Sequence, residues 1–242
     1  MSYEHGPHCL WALREGGDSD ELEIQGGGEW LMAIGSTRRK GMRTNTAAER
    51  STRPPKSVHR FTIRDYERLV EIGFFGPADR AELVDGWLVD KMPHNPSHAT
   101  AVDVANEAIL RLLPDSWTTR SQLPIRLPGD NAPEPDVVVV LAPKQRYSER
   151  YPSEKDIALV VEVSDTSLDD DQRLKLPQYA RARLPDYWII NLIGRRVEVY
   201  THPRGGKNPG YHQQTNYVPG QSIPIVVGGV DVGSLEVNEV LP

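Results

Sequence analysis

Two carboxylates set in apolar runs are the residues of this chain best suited to chemistry. Asp136 follows Ala132-Pro-Glu-Pro and opens the run Val-Val-Val-Val-Leu141, and Glu162 lies near the end of Asp156-Ile-Ala-Leu-Val-Val-Glu162-Val-Ser164. A carboxylate is costly to bury unless it is paired, hydrogen-bonded or holding a metal. Two of them on neighbouring strands would make an oxygen-rich pocket suited to a hard divalent cation, Mg2+ or Mn2+. Beyond Ser164, the residues Asp171, Lys175 and Tyr179 recur at intervals of four. On a helix they share one face, from which Lys175 can reach back over the strand ends. Each feature alone also fits a plain structural role. Pro-Asp is a common turn pair, and an Asp171–Lys175 pair on a surface is worth a few tenths of a kcal/mol.

The elements that must position these groups are legible in part. Both acid-bearing runs are short, rich in Val and Ile, and bounded by Pro, Asp or Ser, which predicts strands. Glu82-Leu-Val-Asp85-Gly86-Trp87-Leu-Val89 reads as a hairpin closed by an Asp-Gly turn. Before it, Thr62-Ile-Arg-Asp65 forms a capping box, with Tyr66, Leu69, Val70 and Ile72 at helical spacing. Ser97 can cap a helix running to Leu113. His94 and His98 have an H-x3-H spacing, but Asn95-Pro96 between them prevents a helix from aligning both rings on one metal. His98, near a helix start, is a candidate phosphate contact or a packing residue. Trp117 to Leu127 alternates like a strand. Residues 142 to 155 form a polar loop whose Lys144, Arg146, Arg150, Lys155, Tyr147 and Tyr151 could grip a nucleic-acid backbone. Pro177 should kink or break the helix that carries Lys175. Two more strands surround Tyr187-Trp-Ile-Ile-Asn191 and Arg196-Val-Glu-Val-Tyr200, residues 205 to 210 form a loop, and residues 223–227 and 230–237 add edge strands. The sum is an α/β fold with a mixed central sheet flanked by helices, preceded by a helix and a hairpin.

Taken together, Glu82-Leu-Val-Asp-Gly-Trp, His98, Glu134-Pro-Asp136, Val161-Glu-Val163, Asp171 with Lys175, and Tyr187-Trp-Ile-Ile-Asn191 resemble the Uma-type family of bacterial restriction endonucleases. The Pro-Asp and Glu-x-Ser elements likewise resemble the PD-(D/E)xK signature of the restriction-endonuclease-like superfamily. The resemblance covers roughly residues 60 to 242. It implies a restriction-endonuclease-like core, an Mg2+- or Mn2+-dependent hydrolysis of phosphodiester bonds, most readily in DNA, and an acidic cluster of Asp136, Glu162 and Glu82. Lys175 completes the catalytic set that it implies. One position departs from the superfamily pattern: the residue two after Glu162 should be Lys and is Ser164. Family members with this change supply the amine from the following helix, which here is Lys175, held by Asp171. Tyr179 and His98 are supporting residues. The alternative is a nuclease-fold protein that no longer cuts and serves as a nucleic-acid-binding or assembly module.

Composition bounds these readings. Over 242 residues the formal charge is −6, unevenly spread: residues 1–35 carry seven acids and one base, residues 36–60 eight bases and one acid, and the remainder a net −7. An acidic body argues against tight nonspecific binding of nucleic acid, which relies on Lys and Arg at the phosphates. It does not exclude a metal-dependent nuclease, whose site is itself a cluster of acids neutralised when cations bind. The single cysteine excludes an intrachain disulfide and a cysteine-built zinc site. No stretch approaches a membrane span, and the chain reads as a soluble cytoplasmic protein. Residues 1–56, with Gly26-Gly-Gly28, Arg38-Arg-Lys40 and Pro54-Pro55, read as a flexible leader ahead of a domain over 57–242, with Met42 as a possible start. Cutting both strands of a duplex would favour a homodimer.

Overall fold

A computed structural model describes residues 59–76, 79–91 and 95–242. The leader expected over 1–56 and the residue His94 lie outside them. The capping box at Thr62 is present: its hydroxyl accepts from the Asp65 backbone, the Asp65 carboxylate accepts in return, and α1 runs Ile63–Glu71. The hairpin is β1 (Ala81–Val84) and β2 (Trp87–Asp90), with Asp85 and Gly86 both at positive φ, the conformation that makes Asp-Gly a good two-residue turn.

The next helix, α2 (Pro96–Leu112), begins two residues earlier than expected. Asn95 rather than Ser97 caps it, accepting from the His98 backbone N–H at 2.9 Å, and Pro96 takes the first helical position, where a missing N–H costs nothing. The central sheet has six strands in the order β3-β4-β5-β6-β7-β8: β3 (Trp117–Arg120), β4 (Val137–Leu141), β5 (Ile157–Ser164), β6 (Asp186–Asn191), β7 (Arg196–Arg204) and β8 (Gly210–Tyr217). Only β5 and β6 are parallel, and a parallel pair needs a crossover. That crossover is helical, with α3 (Leu168–Asp170), a wider π-helical turn over Asp171–Lys175, and α4 (Leu176–Arg181).

Two strand expectations are corrected, and one strand was not foreseen. β3 ends at Arg120, and residues 121–127 leave the sheet to make isolated bridges to Asn131 and Ser153. Residues 210–217, which carry no apolar alternation, pair along β7 as the edge strand β8; backbone pairing rather than side-chain pattern places them. The strands β9 (Ser222–Val227) and β10 (Val230–Glu236) do not extend the sheet but form a two-stranded ladder of their own. That ladder packs Ile223, Ile225, Val227 and Leu235 into the core.

Alternation along β4 and β5 divides the core. Val137, Val139, Leu159, Val161 and Val163 face α2 and the β9–β10 ladder. Val138, Val140 and Val160 face the other side with Tyr179, Tyr187 and Ile189. Successive side chains on a strand point to opposite faces, so Glu162 and Ser164 fall on the side of Val160, under the helical crossover. Each fully buried Val or Leu here stabilises by about 1.5–3 kcal/mol, and that packing fixes the strands whose ends hold the acids. Among the described residues no helix is long and apolar enough to cross a membrane.

Candidate active site

The antiparallel pairing of β4 and β5, with Val137 opposite Val161, brings the start of one strand to the end of the other. Asp136 and Glu162 therefore meet at one sheet edge. The Asp136 backbone N–H lies 3.4 Å from Glu162 Oε2, and Asp136 Oδ2 accepts from the Val163 N–H at 2.9 Å, so the Asp136 side chain extends the ladder by one bond. From the other side of the strand ends, His98 on the first turn of α2 places Nε2 at 3.3 Å from Asp136 Oδ2. Burial alone would push the Asp136 carboxyl up, but the bond and charge of His98, with Lys91 and the Val163 N–H, hold it down at about 2. His98 is raised in turn: burial pulls it down and Asp136 more than offsets that.

Glu162 is fully buried and faces the crossover. Its Oε1 takes an ion pair from Lys175 Nζ at 3.0 Å and a hydrogen bond from the Tyr179 hydroxyl at 2.7 Å. Burial, with the charges of Asp136 and Asp171, nevertheless pushes this carboxyl up to about 8, against the pull of Lys175. Burial favours a neutral Lys175, but Glu162, Glu82, Asp171 and Asp136 around it outweigh that and hold the ammonium charged well past neutrality. Lys175 Nζ also lies 3.4 Å from Asp171, whose other carboxylate oxygen accepts from the hydroxyls of Ser164 and Ser167. Ser164, in the position where the superfamily pattern has lysine, thus holds the residue that flanks the lysine from the helix.

The expected interval of four works because the helix is not regular. An α-helix turns about 100° per residue, so side chains four apart drift by about 40° and Asp171 and Tyr179 would diverge by about 80°. The Leu176 N–H bonds back to the Asp171 carbonyl, a turn one residue wider than α-helical, and this takes up part of the drift. Pro177, expected to kink the helix, stands just after this turn.

Glu82, on β1, is buried and accepts from the Glu134 N–H at 3.1 Å. Asp136, Glu162, Glu82, Asp171, Lys175 and His98 all line one cleft of about 160 Å3. Tyr179 stands behind Glu162 in the core. The basic loop over 142–155 is not at this cleft. It joins the far ends of β4 and β5, one strand length or roughly 16 Å away, and there Tyr147 is buried and Arg150 is paired with Asp156.

Sequence reading missed Lys91, which lines the cleft and donates to the Glu134 carbonyl at 2.6 Å. The hairpin register places it one residue past the Ala81–Asp90 pair, close to Glu82, and that register was the available signal. It also missed Asn95, whose side-chain amide donates to Asp165 at the cleft wall.

Among the described residues, no three His, Cys, Asp or Glu side chains stand ready-made as a metal-binding group. The donor set does fit a hard cation. Four acids, Glu82, Asp136, Glu162 and Asp171, line the cleft with Lys175, Lys91 and His98, and carboxylate oxygens are the ligands that such a cation prefers.

Known proteins resemble this chain in family and in fold. A family model named Uma2, described as "Putative restriction endonuclease", matches residues 63–231. The chain belongs to the Uma2 family. Among solved structures it is similar to the crystal structure of "a putative nuclease belonging to DUF820 from Anabaena variabilis ATCC 29413". The TM-score is 0.55 at 13% identity, over 74% of this chain and 97% of that one. At that identity the likeness speaks for the fold, a mixed sheet flanked by helices, which the Uma2 chain shares. No curated protein matches the chain.

Proposed function

We propose that this Uma2 member is an endonuclease that hydrolyses phosphodiester bonds in DNA with the help of Mg2+ or Mn2+. The observation that carries the reading is the placement of Lys175 Nζ at 3.0 Å from the buried Glu162, from a helix and not from the strand, in the cleft shared with Asp136 and Glu82. Asp136 and Glu162, with Glu82, would hold the divalent cation. When bound, that cation supplies Lewis acidity toward the phosphate and lowers the pKa of water. Lys175 stays charged and is aimed into the cleft, so it orients water and stabilises the negative charge that develops on the phosphate. A fixed cation in a site that excludes water contributes several kcal/mol. Asp171 and the Tyr179 hydroxyl fix the two partners of this ion pair, and His98 orients Asp136. A second copy of the chain would serve the second strand of a duplex.

The alternative is a module that no longer cuts, supported by the acidic body and by Ser164 in the lysine position. With an ammonium supplied from the helix beside Glu162, that second support weakens. Incubation of the purified protein with supercoiled plasmid and Mg2+ or Mn2+, beside Asp136→Ala and Lys175→Ala, tests the proposal. Cutting that both substitutions reduce by about a thousandfold or more is expected. Cutting that survives either removes the assigned site, and no cutting by the wild type on any nucleic acid returns the non-cutting module.

A further inference from the structure

Glu198, on β7, is a fully buried carboxylate that the proposed chemistry does not use. Its Oε2 accepts from the Gln172 side-chain amide at 2.8 Å and from the Tyr200 hydroxyl at 2.8 Å. Its Oε1 accepts from the Asn191 amide at 3.1 Å and from Arg196 Nε and Nη2 at 3.0 and 2.6 Å. Four of these five bonds come from the sheet and its margins. The fifth comes from Gln172, which lies inside the π turn between Asp171 and Lys175. The same turn is held a second time, since the Tyr187 hydroxyl on β6 donates to the Asp171 carbonyl at 3.2 Å, the carbonyl that also receives the Leu176 N–H.

A wide helical turn is less stable than an α-helical one and persists where surrounding contacts favour it. Here the sheet supplies two such contacts, to consecutive residues of the turn. Relaxation to regular α-helix would rotate Lys175 and Tyr179 relative to Asp171 and withdraw the ammonium from Glu162.

We propose that Glu198 is a positioning residue: through Gln172 it clamps the π turn to the sheet, and so sets the reach of Lys175 into the cleft. The catalytic consequence rests on the nuclease reading, whereas the clamp itself does not. The test uses the full chain and two readouts. In hydrogen exchange followed by mass spectrometry, Gln172→Ala and Gln172→Glu accelerate exchange over residues 168–181 about tenfold and leave α1 unchanged. The exchange Q172E/E198Q, which restores one donor facing one acceptor with the roles reversed, brings that segment back toward wild-type protection. In plasmid cleavage, Gln172→Ala lowers kcat roughly tenfold with KM within about twofold, the size seen when an outer partner of a site group is lost.

Wild-type exchange rates over 168–181 in both single variants would overturn the clamp. So would faster exchange spread evenly over the chain, which marks a merely structural role, or an unchanged kcat in an active enzyme. If the wild type cuts no nucleic acid, the nuclease reading fails and the exchange measurements alone decide the clamp.

Discussion

Two glutamates lie in one row across the central sheet. Glu162 on β5 pairs with Ile189 on β6, and Ile189 pairs with Glu198 on β7, so the two carboxylates share a face and sit roughly 10 Å apart under the same helical crossover. Both are buried. Glu198 receives five hydrogen bonds, one set from a guanidinium, and these overcome the burial that would raise it, leaving its carboxyl below the usual range. Glu162 receives one lysine, one tyrosine and a long backbone contact, and burial first, with the two acids beside it, pushes it up to about 8. The difference separates a carboxylate that has been satisfied from one held short of partners. The first fixes structure, and the second keeps an affinity for positive charge that a cation can meet.

Exchanging the outcomes at the two positions is the most severe way to break this contrast. Glu162→Gln should abolish plasmid cutting, by about a thousandfold or more, while leaving the fold intact by circular dichroism. Glu198→Ala should instead lower stability by about 2–4 kcal/mol in urea unfolding, because Arg196, Asn191, Tyr200 and Gln172 lose a shared buried acceptor.

The pH dependence sharpens it further, with opposite signs. The folded-state pKa of Glu162 lies above its ordinary value of 4.5, so its contribution to stability is complete below that value and fades as pH rises toward about 8. Relative to wild type, Glu162→Gln should therefore gain on the order of 3 kcal/mol between pH 5 and pH 8, read from urea midpoints. The Glu198 carboxyl is lowered, so its contribution is present above the ordinary carboxylate pKa and is lost as pH falls through the folded value. Divalent cation should replace the proton at Glu162: Mg2+ or Mn2+ raises Tm by a few degrees at pH 8, by less at pH 5.5, and not in Glu162→Gln. The smallest effect is expected for Tyr179→Phe, which removes a donor to the Glu162 carboxylate. The acidic limb of the pH–rate profile should move up by about one unit or less.

Much of the site was legible because it is written in strands and in local spacing. An acid at the end of a Val run, an Asp-Gly hairpin and an interval of four require only period-two and near-period-four geometry to interpret. Lys91 and Asn95 were not read as site residues: the hairpin register was a signal for Lys91, but what brings both to the cleft is the docking of the hairpin and of the α2 cap against strands far along the chain. β8 escaped for a related reason: an edge strand of polar residues is held by backbone bonds to β7, and backbone bonds leave no side-chain pattern.

Glu198 shows where the boundary lies. Arg196-Val-Glu-Val-Tyr200 carries the same local signal as Val160-Val-Glu-Val-Ser164, an acid inside an apolar strand. The sequence by itself determined which face of its strand each glutamate takes, since alternation along a strand is a local property. Only the tertiary structure decided that both are buried, that Asn191 and Gln172 complete the donors around Glu198, and that Glu162 faces other acids, because those neighbours arrive from a strand and a helix that the chain brings together across the sheet.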